Sequence, residues 1–146
     1  MDLYEDGNIY LNVCSKDSIS YFPNNKTASF RVKLAKPLHL KGCWKLGLCE
    51  IHVSGVNVNA NGAENIRIEC NLCKGLIVNG TQTRTLRTLP LKKNQYKIFP
   101  LLYYVPLETH YIDNIDFNIC GSEDKLLSFE PEDGRVEMTL RLKRCC

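Results

Sequence analysis

Runs of apolar residues long enough to cross a membrane are missing from this 146-residue sequence, and so is any stretch with the 3.6-residue apolar period of an amphipathic helix. The first absence argues against a spanning helix, the second against an α-helical domain. Reactive chemistry is equally scarce. The three histidines, His39, His52 and His110, sit in no motif, and there is no Gly-x-Ser-x-Gly, phosphate loop, His-Glu-x-x-His or dinucleotide fingerprint. A general base needs a nucleophile within reach, and no such pair is legible. The carboxylates Asp113, Asp116, Glu123 and Asp124 cluster in sequence but have the spacing of solvated strand and loop positions. The sequence therefore predicts a protein that is not an enzyme and that needs neither cofactor nor metal.

A clustered basic stripe is also wanting. The 19 Lys and Arg are spread against 16 Asp and Glu, for a net charge of +3, which supports solubility rather than specific nucleic-acid binding. The densest cluster, Arg141, Lys143 and Arg144, is taken as a solvated strand end. The opening Met-Asp-Leu-Tyr-Glu-Asp has neither a basic start nor an apolar core, so the expectation is a chain made in the cytoplasm and not secreted. On that expectation the sequons Asn25-Lys26-Thr27 and Asn79-Gly80-Thr81 are coincidental.

Cysteine is the one plentiful reactive residue, with eight copies. In a reducing compartment these are thiols, many serving as small buried hydrophobes. Cys70-Asn71-Leu72-Cys73 has the spacing of half a zinc site, but no second Cys-x-x-Cys or His pair completes it. Placed in a strand, its two thiols would lie about 10 Å apart on opposite faces, too far for a disulfide. The ending Lys143-Arg144-Cys145-Cys146 has the form of a lipid-attachment site. The preferred reading is an exposed tail, with no membrane partner.

What the sequence does contain is period-two alternation. Ile9, Leu11 and Val13 open it, and Phe30, Val32 and Leu34 resume it after a polar loop over 15–27. Pro37, which cannot donate a ladder hydrogen bond, predicts a strand end or a sheet edge. Trp44, Leu46 and Leu48 give way to Cys49, Ile51 and Val53, a switch of parity that requires burial on both faces or a β-bulge. A Gly and Asn loop spans 54–64, and Ile66, Ile68, Cys70 and Leu72 form the next inward face. Asn79-Gly80 predicts a two-residue hairpin, followed by a strand over 82–89 and a polar turn at 92–95.

The segment 96–105 is apolar on both faces, as in a central strand or one covered by a subunit neighbour, with a break at Pro100. Its Tyr103 and Tyr104 are assigned to core or interface packing. Ile115, Phe117 and Ile119 follow, then a pair opened by Leu127 and Phe129, a turn at 130–134, and a strand with Val136, Met138, Leu140 and Leu142 inward. About nine short strands at this spacing indicate a β-sandwich or barrel. The chain is long enough for one domain with its own core, spanning 1–146 with short flexible ends at 1–6 and 144–146.

One stretch is more specific. Phe30, Val32, Leu34, Pro37, Leu38, Leu40, Gly42, Trp44, Leu46, Leu48, Glu50 and Ile51, at their spacing, resemble the N-terminal signature of the penton, or minor capsid, proteins of Polinton (Maverick) transposons and adintovirus-like viruses. Asn94-Gln95-Tyr96, Tyr111-Ile112 with Ile115 and Phe117, and Gly134-Arg135-Val136 with Met138, Leu140 and Leu142-Lys143 are similar to later landmarks. The resemblance spans most of 8–143. It implies a single jelly-roll of two antiparallel sheets of about four strands each, with Phe30, Val32, Leu34, Trp44, Leu46 and Leu48 in its core. It further implies a virion protein that forms homopentamers at icosahedral five-fold vertices, beside trimers of a double jelly-roll major capsid protein. The many cysteines depart from that pattern. The alternative is a non-enzymatic β-sandwich binding module, such as a host adaptor or a receptor- or carbohydrate-binding domain, the last of which would expose aromatics such as Tyr103 and Tyr104 on one sheet face.

Overall fold

A computed structural model describes residues 7–61, 64–78, 80–121 and 125–145. Along them run β1 (Asn8–Cys14), β2 (Ser29–His39), β3 (Trp44–Ser54), the one-turn helix α1 (Val58–Asn61), β4 (Asn65–Cys70), β5 (Leu76–Val78), β6 (Thr81–Thr83), β7 (Thr85–Pro90), β8 (Gln95–Ile98), β9 (Tyr104–Pro106), β10 (Tyr111–Cys120) and β11 (Arg135–Arg144). One antiparallel sheet has the order β1-β11-β3-β8, with β9 also paired to β3, and a second has the order β2-β10-β4-β7. The chain changes sheets at nearly every connection, from β1 to β2, β2 to β3, β3 to β4, β7 to β8, β9 to β10 and β10 to β11. This alternation is the jelly-roll arrangement, and the fold is all-β with sheets of five and four strands. Among the described residues no helix is long and apolar enough to cross a membrane.

Alternation drives the assembly, because every inward side chain buries its apolar area against the facing sheet. Ile9, Val13, Leu46, Leu48, Ile51, Val53, Val136, Met138, Leu140 and Leu142 come from one sheet. Phe30, Val32, Ile66, Ile68, Leu86, Leu89, Ile112, Ile115, Phe117 and Ile119 come from the other. Phe30 and Phe117 are register partners whose rings stack with centroids 5.3 Å apart. The parity switch in β3 is a bulge. Thr139 pairs with Glu50 and Leu140 with Leu48, which leaves Cys49 as the extra residue, and its carbonyl accepts the Phe99 N–H at 2.9 Å. Without that insertion Ile51 and Val53 would face solvent. Pro37 lies within β2, which is an edge strand, at an irregular stretch of its pairing with β10.

Several expectations change. The 96–105 segment, expected as a central strand or one covered by a subunit neighbour and interrupted near Pro100, is interrupted there and is not central. It breaks after Ile98, and its two halves, β8 and β9, both lie at the sheet edge, each paired only to β3. The stretch around Leu127 and Phe129 makes isolated bridges, Cys120 with Leu126 and Val56 with Phe129, rather than a strand. Leu127 is nevertheless buried. The hairpin forms between β5 and β6, with Gly80 at φ +79°, while Asn79 lies outside the described residues. Residues 144 and 145, expected in a flexible tail, are held by backbone bonds from Arg144 to Gly7 and from Cys145 to Cys43. The segment 1–6 and Cys146 lie outside the described residues.

Candidate assembly surfaces

The outer faces of the two sheets are polar. On the β2-β10-β4-β7 sheet, Arg31 grips Asp116, Lys33 lies 3.5 Å from Asp113, and Arg67 lies 3.5 Å from Glu69. Asp113 and Asp116 are thus bound to cations rather than aimed at a substrate. Glu123 and Asp124 lie outside the described residues. Such exposed or half-exposed pairs contribute little stability, but they leave this face fully charged. Beside them the 15–28 connection roofs an open groove of about 460 Å³, lined by Tyr21, Phe22, Arg31 and Asp116 among others.

On the opposite face the Tyr96 hydroxyl donates to Glu50 Oε2 at 2.7 Å, and the Thr139 hydroxyl lies 3.0 Å from Glu50 Oε1 and 2.7 Å from Asn12 Oδ1. The hydrogen bond from Tyr96, then that from Thr139, holds the Glu50 carboxyl below its ordinary range. The His52 ring meets Tyr96 edge-on, with centroids 6.0 Å apart. His39 does the same with Tyr111 at 4.8 Å, and His110 is exposed at a strand start. Among the described residues no three His, Cys, Asp or Glu side chains gather as a metal site.

Large apolar side chains are exposed near both edges of the sandwich, as well as at Val58, Tyr111 and Leu126. Near the β1 and β2 edges lie Tyr10, beside Arg141 on the outer face of the first sheet, and Ile19 and Tyr21 on the 15–28 connection, with Tyr21 beside Lys33 of the second sheet. Near the β7, β8 and β9 edges, the 99–103 connection shows Leu101, 75% exposed, and Tyr103, 65% exposed, while Tyr96 and Ile98 of β8 are exposed on the outer face beside Glu50. Both connections are fixed in place. The Arg87 guanidinium lies 4.0 Å from the Phe99 centroid and 4.1 Å from that of Tyr103, and it donates to the Leu101 carbonyl at 3.2 Å. Across the molecule, Asn25 acts as a one-residue strand partner for β2. Its amide donates to the Arg31 carbonyl at 2.8 Å, and its Oδ1 accepts the Arg31 N–H at 2.9 Å. That capping blocks edge-to-edge pairing at β2 and leaves side chains to make contacts there.

The signature residues all sit at the sandwich interior: Phe30, Val32, Trp44, Leu46 and Leu48 are buried, and Leu34 is half-buried at the core margin. The Trp44 indole N–H donates to the Lys41 carbonyl at 2.9 Å. Tyr104, which the sequence places beside Tyr103, goes elsewhere: its ring covers Gly47, with Lys45 and Lys143 ammonium groups each 5.5 Å from its centroid. The two tyrosines therefore form no common stacking face. Cys70 and Cys73 also depart from expectation. Strand β4 ends at Cys70 and the chain turns, so that the Cys73 N–H donates to the Cys70 carbonyl at 3.2 Å and both thiols are buried. Burial, and then the neighbouring Cys73 thiol, push the Cys70 pKa well up.

Strand order and sheet sizes define this chain as a single jelly-roll sandwich. Among solved structures its fold matches that of the mavirus penton protein, with a TM-score of 0.61 over 93% of this chain and 99% of that one, at 8% sequence identity. No protein-family model matches the chain, and no curated protein matches it in sequence.

Proposed function

We propose that this protein is a virion structural subunit, a penton that forms a ring of five at the icosahedral vertex and contacts trimers of the double jelly-roll major capsid protein. The observation that carries the reading is the extent of the fold likeness: it takes in 99% of the mavirus penton chain and leaves little of this one over. The signature between Phe30 and Ile51 supports it from the sequence side. The whole chain acts as one jelly-roll unit, in the virion, by surface complementarity and without catalysis.

A closed ring uses heterologous contacts, in which one patch meets a different patch on the next copy. Exposed side chains along the two edges are the candidates for these patches, with Tyr10, Ile19 and Tyr21 near β1 and β2 and Tyr96, Ile98, Leu101 and Tyr103 near β7, β8 and β9. The test is the solution mass of the reduced protein by light scattering over a range of concentrations. A mass five times that of the chain is expected. A monomer at all concentrations, with no association on mixing with the major capsid protein, would sink the reading. It would favour instead a binding module, with the groove under Tyr21 and Phe22 as its ligand site.

A further inference from the structure

We infer that Cys43 and Cys145 form a reversible disulfide that latches the end of β11 to the start of β3. The ladder between these strands closes with Arg144 opposite Trp44. The register then continues one residue further, where the Cys145 N–H donates to the Cys43 carbonyl at 2.8 Å. Cys145 therefore lies directly across from Cys43. Cross-strand partners project to the same face, here the outer one, in line with Lys45 opposite Lys143. Both cysteines are exposed, unlike Cys14, Cys70, Cys73 and Cys120, which are buried.

The spacing suits a bond that opens easily. In a hydrogen-bonded antiparallel pair the Cα atoms stand about 5.5 Å apart, inside the window of about 4.4–6.8 Å for disulfides. The Cβ atoms of such a pair lie toward the long end of about 4.5–5.5 Å, beyond the roughly 3.5–4.5 Å of a relaxed bridge. Both residues sit just outside the regular strands, since β3 begins at Trp44 and β11 ends at Arg144, so the backbone can close most of the gap. The strain that remains makes the bond readily reducible. It is a latch rather than a permanent staple.

The oxidant is a small disulfide of the glutathione class. One protein thiol loses its proton, and its thiolate attacks a sulfur of oxidised glutathione, forming a mixed disulfide and expelling one glutathione thiolate. The second protein thiolate attacks the protein-side sulfur and expels the other glutathione. Two protein thiols are oxidised, one glutathione disulfide is reduced to two thiols, and these take up the two protons. The neighbouring Lys45, Lys143 and Arg144 favour approach of anionic glutathione. The bridge would close a ring running from residue 43 to residue 145, and loop-closure entropy gives a cross-link a larger effect the longer the ring.

The test uses the full chain, reduced, then incubated with oxidised glutathione, alkylated and digested with trypsin. The tryptic fragment 42–45, Gly-Cys-Trp-Lys, should be recovered joined to the fragment 145–146. The link should persist in Cys146→Ser and vanish in Cys43→Ser. In Cys146→Ser, oxidation should raise the thermal midpoint by roughly 5–15 °C, and reduced glutathione should reverse the rise. Recovery of Cys145 joined to Cys146 or to a second copy, loss of the Cys43 link in Cys146→Ser, or full alkylation of Cys43 throughout would each overturn the latch. These outcomes are independent of the solution mass, so failure of the latch and failure of the vertex reading are told apart.

Discussion

Replacing Leu101 with Ser tests whether the β8–β9 side is a ring contact. In the isolated subunit this side chain is 75% exposed, so its removal should change folding stability by no more than about 0.5 kcal/mol. In a ring of five it is covered five times. Losing most of one leucine's burial costs about 1–2 kcal/mol per contact, hence about 5–10 kcal/mol for the ring as a whole. Assembly of five copies depends on the fourth power of free subunit concentration relative to ring per subunit, so the assembly midpoint should rise by roughly 8- to 70-fold, the exponential of that sum over 4RT. Light scattering or mass photometry across a dilution series reads this directly, with urea unfolding as the control for the fold. Tyr21→Ser, on the opposite side, should give a similar loss because a heterologous contact needs both patches. A midpoint within about two-fold of the parent for both variants, in folded protein, would refute the assignment of these sides.

Three further outcomes follow from the fold itself. Gly55 has φ +72°, and a Cβ there would stand 2.5 Å from the Asp133 carbonyl carbon; Gly55→Ala should therefore cost about 2–5 kcal/mol in urea unfolding, and a loss below about 0.5 kcal/mol would contradict the geometry. Lys45 and Lys143 are directly opposed across β3 and β11, so Lys143→Glu should stabilise by about 0.5–1 kcal/mol at low ionic strength, a gain that must shrink in 1 M salt if it is electrostatic. Burial, then the Glu69 carboxylate, push the Cys120 thiol up to about 11 from an ordinary 9.0. The folded state thus holds this proton more tightly than the unfolded chain, and the stabilisation is fully present below pH 9 and declines as pH rises toward 11. The stability difference between the parent and Cys120→Ala should fall by about 1–2 kcal/mol between pH 8 and pH 11, and a constant difference would show that the thiol does not titrate differently on folding.

The strands were legible because their cause is local. Alternation in Val136, Met138, Leu140 and Leu142 reflects a pleat with one wet face, and any strand of that kind carries the same record in its own residues. Even the Cys49 bulge was visible, as a change of parity that no regular strand permits. Errors arose where a residue's environment is set by chain reversal rather than by period. Cys70 and Cys73 would be far apart in a continued strand, but the turn after Cys70 brings them together. Leu127 looks like a strand residue because it is buried, yet it is held in a connection that bridges to the sheets only at single residues.

The exposure of 96–103 was only half legible. Tyr96, Ile98, Leu101 and Tyr103 have the composition of a central strand or of one covered by a subunit neighbour, and composition does not choose between them. Only the strand order, which puts β8 and β9 beyond β3 with nothing further out in the sheet, turns the same residues into an exposed ridge. There Arg87 holds the 99–103 connection through the Phe99 and Tyr103 rings and the Leu101 carbonyl, and Glu50 holds the Tyr96 hydroxyl. This edge carries Lys97, Pro100 and Pro106, devices that discourage strand pairing, together with the exposed Leu101 and Tyr103. The opposing side pairs an apolar display with the Asn25 cap that prevents open-ended strand addition at β2. The cap is compatible with the proposed ring, because it leaves side chains rather than strand pairing to make contacts at that residue.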